Sequence, residues 1–221
     1  LEHLTGKKLS SRYIEKLLEE GADINIQNHE GKTPVYLCVE RNDVYIFNLL
    51  KKYYPKYNLA DKEERTPFYN ACMNGNLEMV KLLWSVKANV NQQDSQKISP
   101  FYAACSNGHF SVVHFLTTLK KEKFLTTDKK TGNDIKDAIN KLNYHYDEYL
   151  IDFNKKNLSG ATPAHVIAMK GFDTIMTILA YIVDLNGKPQ VLLNEQNNLG
   201  ETPCFLAAKH GQSKVTKVFI N

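Results

Sequence analysis

A thirteen-residue phrase recurs five times along the chain and excludes most folds before any single residue is weighed. "GKTPVYLCVERND" starts at Gly31, "ERTPFYNACMNGN" at Glu64, "KISPFYAACSNGH" at Lys97, "GATPAHVIAMKGF" at Gly160 and "GETPCFLAAKHGQ" at Gly200, the first three starts being 33 residues apart. Each phrase is followed by a second apolar segment such as "LEMVKLLWSV" or "FSVVHFLTTL". A recurrence with a period of about 20–50 residues marks stacked units, each too small to bury its own apolar face.

One phrase shows the physics of all of them. Thr66 before Pro67 is a helix start: the hydroxyl accepts from an N–H with no partner inside the helix, and proline fits the first helical position. Phe68, Ala71 and Cys72 fall on one helical face, and Gly75 stops the helix by taking the left-handed conformation cheaply. Leu77 to Trp84 reads as a second helix, with Met79, Val80, Leu82 and Leu83 apolar, after which "KANVNQQD" turns the chain back. The small residues on the first helix let neighbouring helices approach closely.

With "GADIN" at Gly21 and its degraded copy "KANVN" at Lys87, these motifs make the chain resemble an ankyrin-repeat protein over almost its whole length. The resemblance implies an all-α fold: an ankyrin-repeat solenoid of stacked helix-turn-helix units with β-hairpin fingers between repeats. Residues 1–221 are expected to form a single domain with a partial unit at 1–27, then units 28–60, 61–93 and 94–127, a degenerate unit 128–156, a unit with an insertion 157–196 and a truncated unit 197–221. In the degenerate unit Asn133 and Asp134 replace the Thr-Pro pair, and Ile135, Ala138, Ile139, Leu142, Tyr146, Tyr149 and Leu150 keep one helical face with no glycine between them. Residues 133–151 form either two helices with a minimal turn or one long helix. The insertion at 184–196, marked by Asn186-Gly187 and Pro189, reads as a tolerated surface loop before an added contact. The chain starts without methionine and its last unit stops inside a second helix, so a longer natural chain is expected.

Little in the sequence points to chemistry. Cys38, Cys72, Cys105 and Cys204 share no C-x-x-C spacing, which fits a reducing, intracellular, cytoplasmic setting. Three of them sit in or beside the small slots of the first helix and Cys204 takes an apolar slot after Pro203, so all four are expected to pack as small hydrophobes rather than to attack a substrate. His3, His29, His109, His114, His145, His165 and His210 make no zinc spacing with them, and no glycine-rich phosphate loop appears. No catalytic residue, metal or cofactor is assigned. The longest nearly apolar run, "IMTILAYIV", is too short to span a bilayer, so no membrane insertion is expected. The net charge of +4 is too mild for a nucleic-acid grip, and the most basic window, "LKKEKFLTTDKK" from Leu119, reads first as a solvated loop. Tyr36, Tyr69 and Tyr102 fill one slot in three successive repeats and are read as inter-repeat packing. Tyr53, Tyr54 and Tyr57, with Tyr144, Tyr146 and Tyr149, are secondary interface candidates.

The resemblance implies that a partner protein meets the concave face, made of finger tips and the exposed ends of first helices. Carried onto this sequence, the tips give His29, Glu30 and Lys32; Lys62, Glu63 and Arg65; Ser95, Gln96 and Ile98. The helix ends give Glu40 and Arg41, Met73 and Asn74, Ser106 and Asn107. Further along, Lys129, Lys130, Lys141, Lys170, Lys209 and His210 add positive charge, and Leu158, Met169 and Leu199 add apolar contacts. Such a surface suits a monomeric, non-catalytic scaffold and a protein partner with an acidic rim. The alternative is the recruiting arm of a larger enzyme or secreted effector whose catalytic part lies outside these residues.

Overall fold

A computed structural model of the chain describes residues 2–119, 150–183 and 187–220, with side chains from Ser11 onward. It divides into two compact units, Leu1–Val112 and Val113–Asn221. The helices of the first are α1 (Glu2–Glu19), α2 (Pro34–Glu40), α3 (Val44–Lys51), α4 (Pro67–Met73), α5 (Leu77–Ser85) and α6 (Pro100–Ser106); α7 (Phe110–Thr118) crosses the division. The second unit contains α8 (Pro163–Lys170), α9 (Asp173–Ala180), α10 (Pro203–Lys209) and α11 (Ser213–Val218).

The Thr-Pro start works as its chemistry requires. The Oγ atoms of Thr33, Thr66 and Ser99 each accept from the backbone N–H three residues on, at 3.1 Å, with proline in the first turn. Gly75, Gly108, Gly171 and Gly211 then end the first helices at positive φ. Within the first unit α2 packs on α4 and α4 on α6, while α3 and α5 back their own partners; in the second unit α8 packs on α10 and α9 on α11. Phe68, Ala71, Cys72, Met79, Val80 and Leu83 are completely buried, so the phrase and the segment after it close one core.

The fingers are tight turns rather than paired strands. In each, the first residue's N–H reaches the carbonyl four residues on at 3.0 Å: Asn28 to Lys32, Asp61 to Arg65, Asp94 to Ile98, Asn157 to Ala161 and Asn197 to Glu201. The same residue's side chain closes the tip, Asp61 Oδ1 accepting from the N–H groups of Glu63 and Arg65. That leaves few backbone groups for a ladder, and neighbouring tips are tied by single bonds, Lys62 N–H to Glu30 O and Ser95 N–H to Glu63 O. The bridge among the described residues joins Val183 to Pro189, where the inserted chain turns back. Beyond it, Asn154 accepts from Leu192 N–H at 2.8 Å, as Asn25 and Asn58 accept from Lys56 and Asn89 in the first unit. The insertion therefore re-enters the repeat frame. Most of the degenerate unit lies outside the described residues, including the choice between one and two helices, Tyr144, Tyr146 and Tyr149.

The finger slot held by Gly31, Gly160 and Gly200 at φ of 74–80° is filled by Glu64 (φ 62°) and Lys97 (φ 58°) in the middle repeats. A side chain in this conformation costs about 1–2 kcal/mol. Glu64→Gly and Lys97→Gly are each expected to stabilise the fold by about 1 kcal/mol, read as a higher urea midpoint with an unchanged slope.

Candidate functional site

Three of the four thiols are packed away. Cys72 and Cys105 are fully buried, and burial pushes both thiols far above their ordinary range; Cys38, also buried, is pushed up to about 12. Cys204 differs from expectation and is only half-buried. Its helix α10 packs on α8 and α11, whereas α4, whose Phe68 fills the same slot, is covered by α2, α5 and α6. Among the described residues no three of His, Cys, Asp or Glu are grouped to hold a metal ion.

The tyrosine slot turns out to be the joint between repeats. The Tyr36 hydroxyl donates to Asp61 Oδ2 at 2.7 Å, and the Tyr69 hydroxyl donates to Asp94 Oδ2 at 2.8 Å, each acceptor being the first residue of the next finger. Burial and the adjacent carboxylate push both phenols well above their usual range. A second joint lies at the helix ends: Asn107 Nδ2 and His109 Nε2 both contact the Met73 carbonyl, at 3.1 and 2.9 Å. Asn74 is exposed, and its amide donates to Oδ1 of the buried Asn70 at 2.9 Å.

Around the first joint the finger tips form a cleft of about 210 Å³ lined by His29, Glu30, Lys32, Asp61, Lys62, Glu63 and Arg65. Six of these are the tip residues singled out from sequence; Asp61 is not. Its cations are largely spoken for. Lys32 Nζ lies 2.8 Å from Glu40 and 3.0 Å from Glu30, and these carboxylates raise its pKa. Arg65 lies 2.8 Å from both Asp61 and Glu63. Burial alone would push the Asp61 carboxyl up, but the Tyr36 hydroxyl and the Arg65 backbone and guanidinium together hold it below the ordinary range. Arg41, Lys62, Ser95, Gln96 and Asn107 are exposed, with Met73, Ile98 and Ser106 half-buried.

The family model for ankyrin repeats (3 copies) matches residues 7–94 and again 46–128, overlapping windows that together span more than half of the chain. The chain belongs to the ankyrin-repeat family. No curated protein matches it. Ankyrin repeats are protein-protein interaction modules that are typically non-catalytic. Among the described residues no helix is long and apolar enough to cross a membrane.

The second unit solves the same ankyrin slots with different residues. His165 takes the tyrosine slot: its Nδ1 is 3.1 Å from the Thr162 N–H, and its Nε2 reaches the Glu201 carbonyl of the next finger at 3.1 Å. Burial lowers its pKa, which suits a neutral ring that accepts at Nδ1 and donates at Nε2. Gln212 Nε2 bonds the Met169 carbonyl, as His109 does Met73. Leu158, Leu199, Met169, Lys170 and His210 are exposed, and Asn198 joins the two tips through Ser159 O and Leu158 O. Lys129, Lys130 and Lys141 lie outside the described residues.

Finger base and helix end are bridged in both units, with opposite polarity. Lys32 pairs with Glu40 at 2.8 Å, and Glu201, in the Lys32 slot, pairs with Lys209, in the Glu40 slot, at 2.7 Å. Lys32→Glu is expected to lower stability by about 1 kcal/mol, and adding Glu40→Lys to restore most of it. A double-mutant cycle by urea unfolding checks this; two additive losses would show that the bridge is not the coupling.

Proposed function

We propose that the chain is a non-catalytic scaffold that binds a partner protein through its finger tips and the ends of its first helices. The observation that supports this most is the division of labour in the repeat: joints and core consume Cys38, Cys72, Cys105, Tyr36, Tyr69, Asp61 and Asp94, while Lys62 stays exposed in the lining of the tip cleft and Arg41, Ser95 and Gln96 stay exposed at the helix end and the next tip. Leu158, Met169 and Leu199 offer the second unit's apolar contacts. The partner presents acidic groups to Arg41 and Lys62, since Lys32 and Arg65 already face carboxylates. Arg65 is therefore a poor probe, because its replacement disturbs Asp61 and the turn.

The cleaner test is Arg41→Glu with Lys62→Glu in the intact chain. Capture from a cell extract, quantified by mass spectrometry, is expected to lose the specific partner about tenfold or more while the thermal midpoint stays unchanged. If the double variant retains every captured protein, the finger-face assignment is wrong.

A further inference from the structure

The second unit joins its repeats through an imidazole, and an imidazole takes up a proton in weak acid where the phenols of the first unit cannot. Among the described residues His165 is the one fully buried histidine, at 1% exposure; His29, His114 and His210 are exposed and His109 is half-buried. Both of its ring nitrogens are committed. Nε2 lies 3.1 Å from the Glu201 carbonyl, which can only accept, so Nε2 carries the hydrogen. Nδ1 lies 3.1 Å from the Thr162 N–H, which can only donate, so Nδ1 carries the lone pair. The Thr162 hydroxyl is a second neighbour of Nδ1, at 2.8 Å.

A proton added at Nδ1 would point at that backbone N–H. The hydroxyl can turn to accept it, but the N–H is fixed at the start of α8 and cannot. The new charge would also be buried among carboxylates that already face lysines. Near the ring, Lys156 and Glu195 pair with each other at 2.7 Å. Glu201 is held by Lys209 at 2.7 Å and by Asn197, which keep its carboxyl below the usual range. The helices packed on α8 add Asp173, in the first turn of α9, and Lys209 itself; α8 carries Lys170 in its last turn. Burial accordingly keeps the ring below the ordinary imidazole range.

The bond to Glu201 seats one finger on its neighbour. Asn198 in that finger donates from its backbone N–H to Ser159 O at 3.0 Å and from its side chain to Leu158 O at 3.1 Å. The exposed Leu158 and Leu199 ride on these two tips. In the first unit the matching tip bonds, Lys62 N–H to Glu30 O and Ser95 N–H to Glu63 O, stand beside the Tyr36 and Tyr69 joints. His109 there donates from Nε2 to the Met73 carbonyl, a bond that a charged ring keeps.

We propose that His165 is an acid-sensitive latch: uptake of a proton at Nδ1 frees the finger at 197–201 from the finger at 157–161, while the tyrosine joints of the first unit stay closed. In an opened joint the ring returns to its ordinary value of about 6.5. The opened form then gains a proton below that pH, and the closed form gains one only at lower pH. Opening is therefore unaffected above about pH 6.5 and favoured increasingly below it.

Hydrogen exchange of the intact chain, followed by NMR, reads the two kinds of joint separately. After correction for the intrinsic pH dependence of exchange, protection of the Asn198 amide is expected to fall about tenfold from about pH 7 to pH 5, with the Lys62 and Ser95 amides unchanged within about twofold. His165→Gln is expected to lower Asn198 protection at neutral pH and to remove its pH dependence. His165→Tyr with Asn197→Asp transplants the tyrosine joint and is expected to hold Asn198 protected and flat over the same range. The latch is overturned if Asn198 in the unsubstituted chain stays equally protected in acid, if Lys62 and Ser95 lose protection with it, or if His165→Gln keeps the original slope. The comparison of the two joints within the unsubstituted chain stands even where a variant fails to fold. The latch makes no use of a partner, so its failure leaves the finger-face reading, which rests on Arg41 and Lys62, as it is.

Discussion

Asp61→Ala is expected to cost about 2–4 kcal/mol, one of the two largest single-residue effects outside backbone-breaking changes. The carboxylate serves four partners: the Tyr36 hydroxyl, the Arg65 guanidinium, and the N–H groups of Glu63 and Arg65. Tyr36 is fully buried, so its hydroxyl would keep only a long 3.4 Å contact from Asn70. Asp61→Asn should cost less, about 1–2 kcal/mol. An amide oxygen still caps the turn, as it does at Asn28, Asn157 and Asn197, but the acceptor for Tyr36 and the charge facing Arg65 are lost. The order Asp, Asn, Ala is the signature, measured by urea unfolding; equal losses would mean that only the turn matters.

The same carboxylate ties stability to pH. Its folded-state pKa is held below the unfolded value of about 3.9. Its contribution is therefore present in full above about pH 4 and is lost as pH falls below that value. The wild type should lose stability more steeply than Asp61→Asn across that acid window.

How far the residues themselves carried the fold depends on which forces act locally. Helix starts, stops and core slots were readable because each rests on a few adjacent residues: Thr66 caps Tyr69 N–H, Pro67 follows, and Gly75 takes a positive φ. The joint between repeats was half readable. The slot of Tyr36 and Tyr69 reads as inter-repeat packing, but the acceptors of their hydroxyls lie 25 residues on, beyond any local pattern. A signal existed within the chain itself: the finger begins with Asp61 and Asp94 after a tyrosine repeat, and with Asn197 after the His165 repeat, where the ring bonds a carbonyl instead.

The tip cluster shows the opposite limit. The ankyrin resemblance puts His29, Glu30, Lys32, Lys62, Glu63 and Arg65 at finger tips, and they line one cleft. Their availability was not legible, because it depends on which carboxylate each cation finds. Arg65 turns to Asp61, while Ile98 in the same slot leaves Asp94 with a hydroxyl and two backbone N–H groups. Tyr54 and Tyr57 look alike in the sequence, yet Tyr54 is exposed while Tyr57 packs against Phe47.

Phe68→Ala is expected to cost about 3–5 kcal/mol. The ring is completely buried in α4, which packs against α2, α5 and α6, so the cavity has rigid walls on every side and little room to collapse. Its slot-mate Cys204 is half-buried, and Cys204→Ala should cost less than 1 kcal/mol. The compact units give the experiment a second readout. The single tryptophan, Trp84, lies in α5 of the first unit, so its fluorescence reports that unit alone, whereas far-ultraviolet circular dichroism reports helices in both. In Phe68→Ala the fluorescence transition should move to lower urea ahead of the dichroism transition, because stability in a repeat array is carried by each unit and its nearest neighbours. Coincident transitions in the variant would instead show that the chain unfolds as one cooperative body. A fluorescence midpoint unchanged from wild type would contradict the placement of Phe68 at the centre of the first core.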